Sequence, residues 1–261
     1  MIHVPPLAYR VLRRIGRIKP FGRAAVLAED GLEEVLFGID ASGRRSGREV
    51  FRKLRSRKDH YDFSNEFFGP HQIEAEILAL IEWVSEIAPK RVCEIGTAMG
   101  GTTYLLGQSI PSVEHLIGID LHVRRRHRLR YFSRPEQRLS FLDGSSFAPT
   151  TVERVRQQLA GHKLDVLFID GDHSFKGVSS DFSAYRHFVR DGGIIICHDI
   201  VEDHTTRYGR PTPRYTGGVP RFWKQIKEHF VHREFVDSAE QDGFGIGAII
   251  YDSSAPLPPI G

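Results

Sequence analysis

KLDVLFIDGDHSFKGVSSDFSAYRHFVRDGGIIICHDI, residues 163–200, decides the fold class. It reads as an apolar strand over 163–173, a helix across 175–190, and a second apolar strand over 192–200. Runs such as DVLFID and GIIIC show no alternation of apolar and polar residues. Both faces of such strands are covered, as in a parallel sheet with helices on either side. The alternation extends upstream: RVCEIG (91–96), EHLIGID (114–120) and RLSFLDG (138–144) read as strands. GGTTYLLGQSI (100–110) and TTVERVRQQLAG (150–161) read as helices, and so does the arginine-rich stretch after Asp120. Before them, Ile73, Ile77, Leu80, Ile81, Val84 and Ile87 recur at helical spacing from Gln72 and stop before Pro89. Downstream, a helix over 219–229 precedes HREFVDS and FGIGAIIYD, a terminal strand pair. The expected fold is α/β: a mostly parallel seven-stranded sheet, helices on both faces, and a C-terminal antiparallel strand pair.

Composition sets the outer bounds. The 261 residues carry 36 Lys and Arg against 33 Asp and Glu, and 40% hydrophobic residues, a globular balance able to bury a core without disulfides. The two cysteines, Cys93 and Cys197, each sit inside an apolar run and read as reduced core thiols. No stretch reaches the ~18 apolar residues of a membrane span, and MIHVPPLAYRVLRR lacks the order of a signal peptide. A soluble, cytoplasmic protein is expected. Residues 1–60 are expected to be a basic extension or small cap, with VLFGID (35–40) as a strand and ASGRRSG (41–47) as a turn. Residues 61–252 form the expected catalytic domain and 253–261 a tail. Two blocks are strongly basic: 44–58 has eight Arg and Lys against one Glu, and 124–138 has seven Arg against one Glu. Neither contains a nucleic-acid-binding module, so a solvated face or steering of an anionic substrate is the preferred reading. A small-molecule partner is expected, and a homo-oligomer is left open.

In an open parallel sheet, ligands bind outside the carboxyl ends of the strands. The polar residues there are Glu94 to Gly101, Asp120, Asp143, Asp170 to His173, and His198 with Asp199. GTAMGG (96–101) gives a tight strand-to-helix turn whose free amides can face a polar ligand group, although its spacing is not GxGxxG. Asp120, 24 residues beyond Gly96, can accept hydrogen bonds from a ribose diol, so NAD and S-adenosylmethionine both fit. The glycine spacing and Glu94, a carboxylate suited to an α-amino or sulfonium charge, favour the methyl donor. FIDGDHS (168–174) is the sharpest feature. Asp170 can hold a metal, His173 has the intrinsic pKa of a general base, and Asp172 can cap the next helix. Asp199 offers a second carboxylate, and His198 a ligand or a hydrogen bond to one. Carboxylates favour a hard divalent cation, and no Cys/His spacing supports zinc. Cys197 points away from His198 within a strand, which argues against a nucleophile pair. VEDHTTRYGRPTPRYTGG (201–218) reads as a substrate lid whose Arg207, Arg210 and Arg214 could meet an anionic or sugar-bearing substrate.

VCEIGTAMGGTTYLL, IGIDL, LFIDGDHSFKGVSSDFSAYRHFVRDGGIIICHDI and GGVPRFWKQIK, in this order, resemble the class I S-adenosylmethionine-dependent methyltransferases with a Rossmann-like fold. More narrowly, the chain resembles the metal-dependent small-molecule O-methyltransferases, a group that includes macrolide sugar methyltransferases, rhamnosyl methyltransferases and proteins named as cephalosporin hydroxylases. The resemblance runs from about Gln72 to Tyr251. It implies Glu94, Gly96, Thr97, Gly100 and Thr102 around the methionine part of S-adenosyl-L-methionine, and Asp120 on its ribose. Asp143 or Ser145 then lies near adenine. The resemblance also implies Mg²⁺ on Asp170 and the His198–Asp199 pair, Asp170 bordering the cofactor, and His173 as base. This chain has His198 where such proteins carry an acidic residue. The implied reaction is methyl transfer to a hydroxyl of a small molecule, such as a sugar or a glycosylated natural product. The alternatives are an NAD-dependent oxidoreductase and a protein of this fold that binds cofactor without metal-dependent turnover.

Overall fold

The apolar runs become the strands β1 (Arg91–Ile95), β2 (His115–Asp120), β3 (Arg138–Asp143), β4 (Leu164–Ile169), β5 (Val189–His198), β6 (His232–Phe235) and β7 (Ile246–Ile250). They form one sheet in the order β3-β2-β1-β4-β5-β7-β6, parallel except for β7 against β5 and β6. The structure is a computed structural model and describes residues 22–256. The expected N-terminal stretch before residue 22 and the end of the tail lie outside the described residues.

Strand residues alternate between two cores. Val92, Val166, Phe168 and Ile196 pack with α3 (Arg57–Phe67), α4 (Glu74–Ser85) and α5 (Gly101–Ser109). Cys93, Ile95, Leu167, Ile195 and Cys197 face the other way, against α7 (Pro149–Leu159), α8 (Phe175–Tyr185) and α10 (Val219–Ile226). Both cysteines are free and fully buried, as core thiols should be. The helix expected across 175–190 is shorter. It ends at Tyr185, a 3₁₀ turn covers Arg186–Phe188, and β5 already pairs at Val189 opposite Leu164. Burial of Phe188 and Val189 pulls the chain onto the sheet early, and the irregular stretch before Ile194 passes through Gly192 at φ +70°.

The N-terminal region departs from expectation. VLFGID lies at the end of α1 (Gly22–Ile39), and ASGRRSG opens α2 (Ala41–Lys53). Asp40 starts α2 by accepting a bond from the Gly43 amide at 2.8 Å. A strand would put Val35 and Phe37 on one face, but Val35 is 59% exposed and Phe37 only 8%. Phe37 packs on Tyr131 and Phe132, a contact 94 and 95 residues away that no local pattern announces. The expected boundary at residues 60/61 falls inside α3, whose Tyr61 and Phe63 join the same core as β1.

Strand register places the site. Gly96 donates to the Ile119 carbonyl and Asp170 to that of Ile95, while Asp120 stands opposite Asp143 and Cys197 opposite Ile169. Asp143, Asp120, Gly96, Asp170 and His198 therefore form one row across the carboxyl ends. Strand order reverses between β1 and β4, the point at which such sheets open a crevice. Among the described residues, no helix is long and apolar enough to cross a membrane.

Candidate active site

A cavity of about 420 Å³ opens at this switch point. Its floor is Ile95, Gly96, Ile119 and Asp170 to Asp172, and its rim includes Asp120, Leu121 and Gly144 to Phe147. Gly96 sits at φ +90°, and a Cβ there would run into the Asp170 carbonyl, so only glycine admits this close crossing. Asp120 is held in place by backbone amides: one oxygen accepts from Ala98 at 2.9 Å, the other from His122 at 3.1 Å. A carboxylate has roughly four acceptor positions, so it keeps capacity for a diol. The opposite rim is fixed from below. Asp181, fully buried, accepts from the Ser146 hydroxyl, and the Tyr185 hydroxyl donates to the Ser146 carbonyl. Burial pushes the Asp181 carboxyl up to about 6.

At the ends of β4 and β5 the arrangement changes. Asp170 Oδ1 lies 3.4 Å from His173 Nε2 and 3.3 Å from His198 Nδ1. Asp199 Oδ2 lies 3.3 Å from His173 Nδ1 and 3.5 Å from His198 Nδ1. Ligand atoms of Asp170, His173 and Asp199 all fall within 4.8 Å of one another, a spacing one cation can bridge. His198 is buried, and neither of its ring nitrogens has a well-oriented hydrogen bond. A buried imidazole that lies against two carboxylates without a well-oriented hydrogen bond among the described residues fits a ligand or neighbour of a cation. Asp199 is held at φ +63°, an uncommon conformation for a residue with a Cβ. Burial would raise the Asp170 carboxyl, but His198 and His173 outweigh it and lower it to about 2. The bond from Asp170 raises His173 to about 9, well above the near-neutral value the residue type suggests. Burial opposes charge on His198, yet Asp170 and Asp199 carry its pKa well up.

The expected site residues separate into groups. Gly96, Asp120, Ser145 and Asp170 line the cavity. Glu94, Thr97, Gly100, Thr102 and Asp143 do not. Glu94 is buried behind the turn, where the Thr103 hydroxyl bonds it and burial pushes its carboxyl up to about 8. Thr97 bonds the Glu94 carbonyl at 3.5 Å, Gly100 sits beneath Leu129, and Thr102 is buried in α5. Asp143, expected near adenine, turns instead to the Val123 amide at 2.9 Å and Arg126 at 2.6 Å. Asp172 caps its own turn by accepting from Ser174 at 2.9 Å.

Two residues join the cluster that were not singled out in the sequence, one of them, Tyr215, within the stretch read as a lid. The Gln72 amide, buried just before α4, lies 3.4 Å from Asp170 Oδ2, and its Oε1 has no partner among the described residues. The Tyr215 carbonyl lies 2.8 Å from His173 Nδ1. They come from positions 98 residues before Asp170 and 42 residues after His173.

Much of the arginine block after Asp120, expected as a solvated face or a steering surface, is engaged in internal contacts, while Arg130 and Arg138 stay exposed. Arg125 pairs with Glu33 of α1 at 2.8 Å and donates to the Phe67 and Phe68 carbonyls at 3.1 and 3.0 Å. Arg126 (Arg126–Tyr131 being α6) holds Asp143, and Arg134 takes the Gly107 and Val113 carbonyls at 2.7 and 2.8 Å. His122 meets Asp30 at 2.8 Å, so α1 is clamped to the loop that follows Asp120.

A sequence profile of the rhamnosyl O-methyltransferase/CmcI family matches residues 60–245. An uncharacterised protein of Acanthamoeba polyphaga mimivirus is 26% identical over 167 residues, covering 57% of this chain and 68% of that protein. In fold, the chain is similar to an O-methyltransferase from Bacillus cereus solved with SAH (S-adenosylhomocysteine): TM-score 0.54, 16% identity, 79% of this chain and 97% of that one. It is also similar to the O-methyltransferase TomG from Streptomyces achromogenes, solved with SAM: TM-score 0.52, 14% identity, 77% of this chain and 92% of the other.

Proposed function

The chain belongs to the rhamnosyl O-methyltransferase/CmcI family and is an S-adenosylmethionine-dependent O-methyltransferase. From that premise we propose that it methylates a hydroxyl of a small molecule, with Mg²⁺ held by Asp170, Asp199 and His198. The observation that carries this reading is the meeting of Asp170, Asp199 and His173 within the span of one cation, with buried His198 Nδ1 at 3.3 and 3.5 Å from the two carboxylates.

Asp120 is the acceptor for the ribose hydroxyls, and the Gly96 turn gives the cofactor close access to the backbone. Glu94, buried behind the turn, is the counter-charge for the methionine amino group once it ionises. When bound, S-adenosylmethionine supplies a methyl group on a sulfonium centre, and Mg²⁺ supplies positive charge that lowers the pKa of a hydroxyl. His173 takes the hydroxyl proton at Nε2, because Nδ1 is committed to the Tyr215 carbonyl. A cation on Asp170 and Asp199 would oppose the charge that these carboxylates favour on His173, which lowers its pKa. Residues 22–53 act as a cap, clamped through Asp30 and Glu33 to the loop after Asp120.

Chelation tests the metal. Methyl transfer should stop in excess chelator and return with Mg²⁺ or Mn²⁺, while S-adenosylhomocysteine still binds; full turnover in chelator removes the cation. His198→Glu should tighten Mg²⁺ binding, because a carboxylate suits this hard ion better than imidazole does.

A further inference from the structure

The segment from Asp199 to Gly218 folds over the reaction end of the sheet with an uneven charge arrangement. The acidic groups facing it are consumed locally. Asp203 accepts from the Thr206 and Thr216 amides at 2.8 and 3.1 Å, and Glu202 pairs with Lys224 at 3.0 Å. Asp242 accepts from the His204 amide at 2.7 Å, and Glu240 from the Tyr208 hydroxyl at 2.6 Å. Arg210 and Arg214 form no ion pair among the described residues and lie over aromatic rings, Arg214 at 4.3 Å from the centre of Phe244.

Two neighbouring residues of this segment frame the imidazoles from outside. Phe244 meets His198 edge-on at 5.9 Å, so Arg214 stands one ring away from His198. The Tyr215 ring runs parallel to that of His173, 8° between planes and 6.4 Å between centres, and is 68% exposed. The segment is pinned there: Gly218 donates to the His173 carbonyl at 2.7 Å, and Gly217, at φ +58°, passes where a Cβ would strike that carbonyl.

On the reading of this site as an O-methyltransferase centre, we propose that Tyr215 and Arg214 form an acceptor subsite for a ring that carries both the methylated hydroxyl and an oxyanion. An exposed aromatic face is a stacking surface for a sugar or aromatic ring. A planar guanidinium free of carboxylates suits a carboxylate or phosphate, which it can bind through two parallel bonds. The orientation follows from placement. His173 stands against Asp170 and Asp199 on the inner side and Arg214 is exposed on the outer side, so the hydroxyl points toward His173 and the oxyanion outward toward Arg214.

The test is calorimetry on enzyme loaded with S-adenosylhomocysteine, using 3,4-dihydroxybenzoate against catechol, and glucuronate and glucose 6-phosphate against glucose. At least one anionic probe should bind tenfold or more tightly than its neutral counterpart, the difference shrinking with salt; which one does so separates carboxylate from phosphate. Arg214→Ala should bring the pair within twofold, Arg214→Lys should restore part of the gap, and Tyr215→Leu should weaken both members alike. Equal binding of charged and neutral probes, no binding of any probe, or a preference that survives Arg214→Ala overturns the subsite. If S-adenosylhomocysteine itself fails to bind, the methyltransferase reading falls and the subsite with it. Bound S-adenosylhomocysteine without a charge preference defeats the subsite alone.

Discussion

The ends of β1, β2 and β3 and the ends of β4 and β5 carry the same kinds of polar residue in one row, yet are built in opposite ways. On the first side the exposed carboxylates are satisfied. Asp120 has two backbone amides, and Asp143 has an amide and Arg126. On the second side Asp170, His173, His198 and Asp199 face mainly one another, with a buried imidazole that has no well-oriented hydrogen bond among the described residues and a backbone residue at positive φ. Satisfied groups hold a pocket in shape before anything enters it, whereas unsatisfied ones store the capacity to bind an ion or move a proton. On the proposed reading, the first side holds the cofactor and the second does the chemistry.

Mutation of His173 should break the reaction side with the largest effect. A general base contributes about 10²–10⁴-fold, so single-turnover methyl transfer by His173→Ala should fall within roughly that range while S-adenosylhomocysteine binds as before. A loss below threefold would return His173 to the role of a surface residue. Next in size is the clamp on the cofactor side. Glu33→Ala leaves Arg125 largely buried with only carbonyl partners, and should cost about 2–3 kcal/mol in denaturant unfolding, somewhat below the range for a fully buried pair. Unchanged stability would mean that the ion pair does not hold α1.

Asp120→Ala probes the pocket directly. It should weaken cofactor binding by about 1.5–3 kcal/mol in calorimetry, the range for hydrogen bonds to a charged group, with little change in the chelator sensitivity of turnover. Tight binding of NAD by the wild type would dismantle the cofactor assignment altogether. The smallest effect expected is a pH slope at Glu94. Its folded pKa, about 8, lies above the ordinary carboxylate value because of burial. Its stabilising contribution is therefore complete below about pH 4.5 and is lost as pH rises through about 8. An amino group arriving on the ionised form should release a proton. Affinity for S-adenosylhomocysteine should then climb by at most about tenfold per pH unit up to about pH 8, and Glu94→Gln should flatten that climb.

Much of this could be read along the chain. Near-continuous apolar runs separated by amphipathic stretches specify strands, helices and a parallel sheet, because burial on both faces and helical periodicity are written locally. The clustering of FIDGDHS and HDI could be read for the same reason: each places its polar residues at the end of one strand, where the topology must open. Asp120 was legible from its position at a strand end as well. VLFGID was not, since a six-residue apolar run suits helix or strand equally, and distant Tyr131 and Phe132 decided for helix.

Only the tertiary structure could decide which partner each polar group takes. Seven arginines in one block read as surface charge until Glu33, the Phe67 and Phe68 carbonyls and Asp143 are brought beside them from far along the chain. Asp143 sits in the row that its sequence position assigns it, yet turns out of the cavity because Val123 and Arg126 offer better bonds. Gln72 and Tyr215 enter the site from opposite flanks of the motifs that define it. Periodicity fixes where a backbone goes, because burial acts on every residue of an element at once. A hydrogen bond or ion pair is settled by individual atoms meeting within about 3 Å, and which atoms meet depends on the whole chain having folded.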